Sequence, residues 1–194
     1  MINRVLAGLF IVFAMAGSAA AGPLQDGDAA YKRGDYATAL KLWRPFAEQG
    51  DAISQYGLGV LYLGGHGVPQ DDIEAAKWFR LAAEQGNAGG EAILGSMYSG
   101  GQGAAQDYAA AVKWSRLAAD QGDAGGQFNL GVAYAKGEGV PQDYVEAHMW
   151  LNLPAGQGVK DAAKSRDIVA AKMTPDQIAE AQRMAREWKP TPAQ

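Results

Sequence analysis

The chain contains no cysteine, so disulfides, thiolate metal sites and a lipid-modified cysteine are all excluded. A block of lysine and arginine is also missing, and 17 basic against 21 acidic residues give a net charge of −4. Such a chain offers no electrostatic footprint for nucleic acid. Only His66 and His148 are histidines, and neither has a partner histidine at ligand spacing. We therefore expect no nucleic-acid partner, no metal and no other cofactor.

Long hydrophobic runs are missing too, except at the amino terminus. Residues 1–21 carry one positive charge at Arg4, then an apolar run, then small residues that end at Ala21. This layout is typical of a secretory signal peptide cleaved after Ala21. The alternative is a retained membrane anchor, which needs about 20 apolar residues, more than the run from Val5 to Met15 supplies. We expect an exported protein, periplasmic or secreted, without a membrane span after cleavage.

One sequence pattern occurs three times at a fixed interval, in residues 52–87, 88–123 and 124–159. The first half of each copy carries Leu-Gly-x-x-Tyr, in which the leucine and tyrosine lie four apart and share a helical face. A glycine-rich turn, an aspartate and a second amphipathic run that ends in Gln-Gly follow. Similarity at a fixed period indicates a solenoid, in which each unit buries its apolar face against its neighbours.

Local signals define two helices in each copy. The recurring aspartates stand where a carboxylate caps the exposed N–H groups of a second helix, at Asp71, Asp107 and Asp143. A glycine recurs inside the first helix, where it costs about 1 kcal/mol against alanine. These glycines are Gly59, Gly95 and Gly131. A cost repeated three times predicts positions where only a hydrogen fits, so that a neighbouring helix or a tryptophan ring can come close.

Weaker forms of the pattern extend to both ends. Residues 22–51 predict an N-terminal capping helix pair, residues 160–189 a C-terminal capping helix pair, and residues 190–194 a tail. Thr174, Pro175 and Gln177 give the last helix a capping box with proline at its first position. We therefore predict an all-α chain of ten helices in five pairs.

The segment LGVLYLGGHGVPQDDIEAAKWFRLAAEQG, residues 58–86, resembles the Sel1-like repeat family, a relative of the tetratricopeptide repeats. The resemblance covers the chain from about Asp26 to Trp188. It implies a right-handed α/α superhelical solenoid that acts as a scaffold or adaptor by holding a protein or peptide. One departure is Pro154, which stands where the pattern has alanine and predicts that the third unit ends early or kinks there.

Catalytic motifs are absent from the sequence. We find no Gly-x-Ser-x-Gly, His-Glu-x-x-His, Ser-x-x-Lys or phosphate-binding loop, and an aspartate that recurs once per repeat is not a unique general acid. We therefore predict that the chain is not an enzyme. One alternative is β-lactam binding or hydrolysis, which has been linked to exported, cysteine-rich relatives of the family it resembles. Another is self-association through the exposed ends of the solenoid.

We call the equivalent positions in successive copies of the repeat a column. The aromatic columns favour packing over ligand binding. The spacing of Trp78, Trp114 and Trp150 from neighbouring alanines and from Leu81 and Leu117 predicts a buried helix face. His66 falls in a column that varies between copies, which predicts an exposed turn. His148 falls in a second-helix column and predicts a position on a helix face.

First-helix positions that vary between copies are the candidates for a binding site, because related solenoids bind on their concave face. They form a groove with few charges, which suits an extended peptide or an apolar helix face. Two readings of Tyr56 and Phe128 stay open, exposure in the groove or packing between repeats. The candidate residues are Ile53, Tyr56, Val60, Leu63, Ser96, Ser99, Phe128 and Val132.

Overall fold

The computed structural model describes residues 22–191. The predicted signal peptide, residues 1–21, lies outside them, as does the end of the predicted tail. The described residues form ten helices and no strand, which confirms the all-α prediction of a superhelical repeat fold. No helix within residues 22–191 is long and apolar enough to cross a membrane. The helices are α1 (Pro23–Lys32), α2 (Tyr36–Glu48), α3 (Ala52–Gly64), α4 (Asp72–Ala83), α5 (Ala88–Gly100), α6 (Tyr108–Asp120), α7 (Ala124–Lys136), α8 (Tyr144–Gly156), α9 (Lys160–Ala170) and α10 (Pro175–Glu187).

The helix ends follow the local signals of the sequence. Asp71 Oδ1 accepts hydrogen bonds from the backbone N–H groups of Ile73 and Glu74, both at 3.0 Å. Asp143 caps α8 in the same way, and Asp107 caps α6 through the N–H of Ala110 alone. The first helices of the repeats end at glycines in the left-handed region, with φ of 64°, 69° and 76° at Gly65, Gly101 and Gly137. The predicted caps and glycine turns are therefore confirmed.

A buried second-helix column lies one residue after the predicted tryptophan column. It holds a different side chain in each unit, Trp43, Phe79, Ser115 and Leu151. Trp78 and Trp114 are only half-buried, and Leu81 and Leu117 are 42 % and 41 % exposed. The predicted buried face is therefore wrong for Leu81 and Leu117, whereas Trp78 and Trp114 still pack against the core clusters and Trp150 is buried. One residue turns a helix by about 100°, so a shift of one position moves the centre of the buried face from Trp78 to Phe79.

The first-helix glycines face this buried column. A Cβ added at Gly59 would lie 2.7 Å from the Phe79 ring, and one at Gly131 would lie 2.7 Å from Leu151 Cγ. Only a hydrogen fits at these positions, as predicted. The side chain that comes close is Phe79 or Leu151, not a tryptophan of the predicted column.

Consecutive units are also joined by a repeated polar contact. Arg44 Nη2 donates to Tyr62 Oη at 3.1 Å, and the guanidinium groups of Arg80 and Arg116 donate in the same register to Tyr98 and Tyr134. The tyrosine of each Leu-Gly-x-x-Tyr motif thus contacts the second helix of the preceding unit.

Pro154 does not end the third unit early, so that part of the prediction is wrong. Helix α8 runs through Pro154 to Gly156, and Pro154 is fully buried. A proline removes one backbone donor and crowds the carbonyl one turn before it. Here it stands two residues from the helix end, where little of the helix follows, and its own carbonyl accepts from Gln157 and Val159 at 3.1 and 3.0 Å.

His66 is not an exposed turn residue, so that expectation is wrong as well. Its imidazole is half-buried and stacks on the Tyr36 ring, with centroids 4.3 Å apart and an interplanar angle of 9°. The turn after α3 therefore covers the first helix pair.

The chain departs from the repeat at its carboxyl end. Helix α9 starts thirty-six residues after α7 and buries Ala162 and Val169, so it continues the register of the first helices. The loop to α10 is residues 171–174, shorter than the loop of residues 65–71 between α3 and α4. Helix α10 therefore packs on α8 and hardly touches α9, and Trp188 meets Trp150 edge-on at 6.0 Å.

Candidate functional site: the inner groove

Helices α5 and α7, two of the first helices, lie on the inner side of the curve. Helices α5 and α7 contact each other directly, whereas the second helices α4 and α6 hardly do. Two cavities open on the inner side, and we call the surface that they share the inner groove. The Ser115 pocket, of about 80 Å³, lies between α5, α6 and α7. The Leu63 cavity, of about 270 Å³, lies between α3, α5 and α7. Ser96 and Asn129 line both cavities.

The Ser115 pocket has a simple origin in the repeat. Phe79 and Leu151 fill the space beneath Gly59 and Gly131, whereas the equivalent position beneath Gly95 holds the small Ser115. Interiors are close-packed, so a side chain smaller than its counterparts leaves space that its neighbours fill only in part. The remaining space is bounded by Ala111, Val112, Phe128 and Val132 among others.

The predicted candidates divide into three groups. Four of them line the Ser115 pocket, namely Ser96, Ser99, Phe128 and Val132. Leu63 joins Ser96 in the Leu63 cavity. The last group, Tyr56, Val60 and Ile53, lines neither cavity.

Tyr56 packs between repeats. Its ring meets the Phe79 ring edge-on at 5.8 Å, and a Cβ at Gly89 would lie 2.9 Å from it. Burial raises the pKa of the Tyr56 hydroxyl, and the charge of Asp123 adds to the effect. Val60 packs on the same core cluster, while Ile53 stays exposed. Phe128 is half-buried and forms a wall of the Ser115 pocket.

Several groove residues were not predicted from the sequence. Asn129 lies between the two cavities, and its Nδ2 donates to the carbonyl of Ala92 at 3.0 Å. Gln102 and Glu138, from the turns after α5 and α7, line the Leu63 cavity and the Ser115 pocket. Ile168 lines neither cavity, but it is 65 % exposed and stands thirty-six residues after Val132, on α9. The repeat period could have found Ile168, had it been extended into α9.

No metal-binding arrangement is found in residues 22–191, where no three histidine or acidic side chains form a cluster that could hold a metal ion. His148 is buried in α8, and its Nδ1 has no hydrogen-bond partner. Burial lowers the pKa of His148, and the charge of Arg166 lowers it further against the opposing effect of Asp167. His148 is absent from the lining of both groove cavities.

The helix pairs, their glycine contacts and the inner groove define a helical-repeat protein. The family model of the Sel1 repeat matches four stretches of the chain, residues 17–51, 52–87, 89–123 and 124–159. These stretches cover most of its length, and the chain belongs to the Sel1 repeat family. Proteins of this family are typically scaffolds for protein interactions.

Two solved structures are similar to this chain. One is a protective antigen present in uropathogenic Escherichia coli strains that displays an SLR fold, with 28 % identity and a TM-score of 0.73 over 84 % of this chain. The chain spans 38 % of that antigen's length. The other is a Sel1 repeat protein from Oxalobacter formigenes, with 27 % identity and a TM-score of 0.71, where the match covers 84 % of this chain and 69 % of the other. No curated protein sequence matches the chain significantly.

Proposed function

We propose that this chain is an exported, non-catalytic scaffold that binds a protein or peptide in the inner groove. The observation that carries the proposal is the Ser115 pocket, which opens beside the exposed Ser96. The signal-like sequence of residues 1–21 supports export. The family supports a role in protein interaction.

The chemistry of the groove favours an extended peptide with an apolar anchor. Ala111, Val112, Phe128 and Val132 give the Ser115 pocket apolar walls, and its volume suits a single apolar side chain. The amide of Asn129 and the hydroxyls of Ser96 and Ser99 lie along the same surface. They can form hydrogen bonds with the main chain of an extended peptide, which requires donors and acceptors along the groove.

Ser96→Arg tests the proposal by placing a long charged side chain where the two cavities meet. Ser96 is exposed on α5, so we expect the fold to survive. The chain from Gly22 onward serves as bait in an affinity capture from the exported fraction, analysed by mass spectrometry. We expect a specific partner whose binding falls by about tenfold or more in this variant, a loss of about 1.4 kcal/mol.

Ile73→Arg is the matched control, because Ile73 is 61 % exposed on α4 and lines neither cavity of the groove. It should capture the partner as well as the unchanged chain does. Equal capture by Ser96→Arg would place the binding surface elsewhere. A nitrocefin assay on the same preparation tests the alternative of β-lactam hydrolysis.

A further inference from the structure

A second and larger cleft lies among the second helices, away from the inner groove. Its volume is about 670 Å³, within the range of small-ligand pockets. Its walls come from the end of α4, the start of α5, the carboxyl half of α6 and the backbone that follows α10, where the N–H of Thr191 donates to the carbonyl of Asp120 at 2.7 Å. We call it the Glu91 cleft.

Glu91 is the exception in a column of amides. The equivalent residues in the neighbouring units are Gln55 and Gln127, and each of the three accepts from the glutamine at the end of its own helix pair. Gln121 Nε2 donates to Glu91 Oε2 at 2.8 Å, as Gln85 Nε2 donates to Gln55 Oε1 at 2.7 Å. An amide is therefore sufficient for this structural bond, and the fold does not require a carboxyl at position 91.

Few polar or charged partners compensate for the burial of the Glu91 carboxyl. Its side chain lines the cleft although the residue is only 3 % exposed. Burial raises its pKa to about 7 and the charge of Asp123 adds to the effect, although the hydrogen bond from Gln121 acts in the opposite direction. None of the ion pairs within residues 22–191 includes it, and its Oε1 accepts no hydrogen bond from the described residues. A buried carboxylate without a cationic partner destabilises the fold.

The rest of the cleft is complementary to an organic cation. Glu84 and Asp120 add two more acidic side chains, against Lys113 as the one basic residue of the lining. The Lys113 ammonium lies 5.4 Å from the centroid of the Trp114 ring, so this indole already attracts a cation. Leu117, 41 % exposed, extends the apolar wall beside it.

We propose that the Glu91 cleft binds an organic cation, whose ammonium group pairs with Glu91 and whose apolar part packs on Trp114 and Leu117. A free polyamine and the lysine side chain of a peptide supply the same chemistry. The site shares no residue with the inner groove. A test of cation binding in the Glu91 cleft therefore does not decide whether the inner groove binds a peptide.

Isothermal titration at pH 7 tests the site, with spermidine and N-acetyl-lysine methylamide as separate probes and hexanoate as the anionic control. We expect at least one of the two cations to bind and hexanoate not to bind. A carboxyl with a pKa of about 7 is about half protonated at this pH, so pairing with a cation should release about half a proton. Titrations in two buffers of different protonation enthalpy measure that release.

Glu91→Gln places at this position the residue that the neighbouring units already carry. We expect it to weaken cation binding by about tenfold to a hundredfold and to abolish the proton release. Glu48→Gln, which changes the net charge equally at the exposed end of α2, should leave both unchanged. Equal binding by Glu91→Gln, or no binding of either cation, would overturn the proposal. Binding of spermidine alone or of the lysine probe alone supports the proposal and identifies the source of the ammonium group.

The same variant has a pH signature that does not depend on the ligand. The folded pKa of Glu91 is raised above its ordinary value of 4.5, so the folded state of the unchanged chain loses stability as the pH rises from about 4.5 to about 7. Glu91→Gln should therefore raise the urea midpoint at pH 8 and leave it nearly unchanged at pH 4. Equal shifts at both pH values would contradict a buried, uncompensated carboxyl.

Discussion

Phe79→Ala should lower the free energy of unfolding by about 3–5 kcal/mol. Phe79 is fully buried, and its ring fills the space against Gly59 and contacts Tyr56 edge-on. Truncation removes this contact and leaves a cavity in the core cluster that Phe79 shares with Leu94 and Met97 of the next unit. A repeat unit contacts only its neighbours, so a lost interface is not compensated by the rest of the core.

Urea unfolding followed by far-ultraviolet circular dichroism measures the effect. Leu81→Ala, two residues further along α4, is the comparison, because Leu81 belongs to the face that the sequence predicted as buried and is 42 % exposed. We expect it to lower the free energy of unfolding by about 1 kcal/mol or less. Similar losses in the two variants would contradict the position of the buried column.

Gly139→Ala should lower the free energy of unfolding by about 2–4 kcal/mol. Gly139 has φ of 76°, a conformation that a residue with a Cβ adopts only with strain. An added Cβ would also clash with the carbonyl oxygen of Tyr108 and lie 2.5 Å from its carbonyl carbon. The turn after α7 rests directly on the start of α6, so neither backbone can move without disturbing the contact between units.

Gly156→Ala is the matched control, since Gly156 ends α8 and a Cβ there would meet nothing within 4 Å. Alanine is favoured over glycine in a helix by about 1 kcal/mol, so this variant should be as stable as the unchanged chain or more stable. Thermal unfolding of the two variants separates the effects. A Gly139→Ala protein that unfolds at the same temperature as Gly156→Ala would exclude the close approach at the turn.

The parts of the fold that depend on local chemistry could be predicted from the sequence. The caps at Asp71 and Thr174 and the glycine turns are set by residues within one turn of the helix end, so the helix count follows from them. The buried face could not be fixed to one residue, because Ala75 and Ala82 are spaced equally well for a face with Trp78 or one with Phe79. Only the glycine that faces Phe79 from the neighbouring helix decides between them.

The candidate site was predictable in part. The register of the repeat placed Ser96, Ser99, Phe128 and Val132 on one surface, since all four belong to first helices. The pocket itself depends on Ser115, a small residue of a second helix in a column whose importance the sequence did not reveal. The packing partner of helix α10 could not be predicted from the repeat either, because the short loop before α10 places it against α8 and not against α9.

Selection of peptides from a random display library against the chain from Gly22 onward tests whether the Ser115 pocket anchors a peptide, with Ser115→Leu as the variant. Leucine is the residue that the next unit carries in this column, so the fold should tolerate it while the Ser115 pocket fills. We expect enriched peptides that share an apolar residue and bind Ser115→Leu about tenfold more weakly or worse. Peptides that bind both proteins equally, or no enriched peptide at all, would contradict a peptide-binding groove at this pocket.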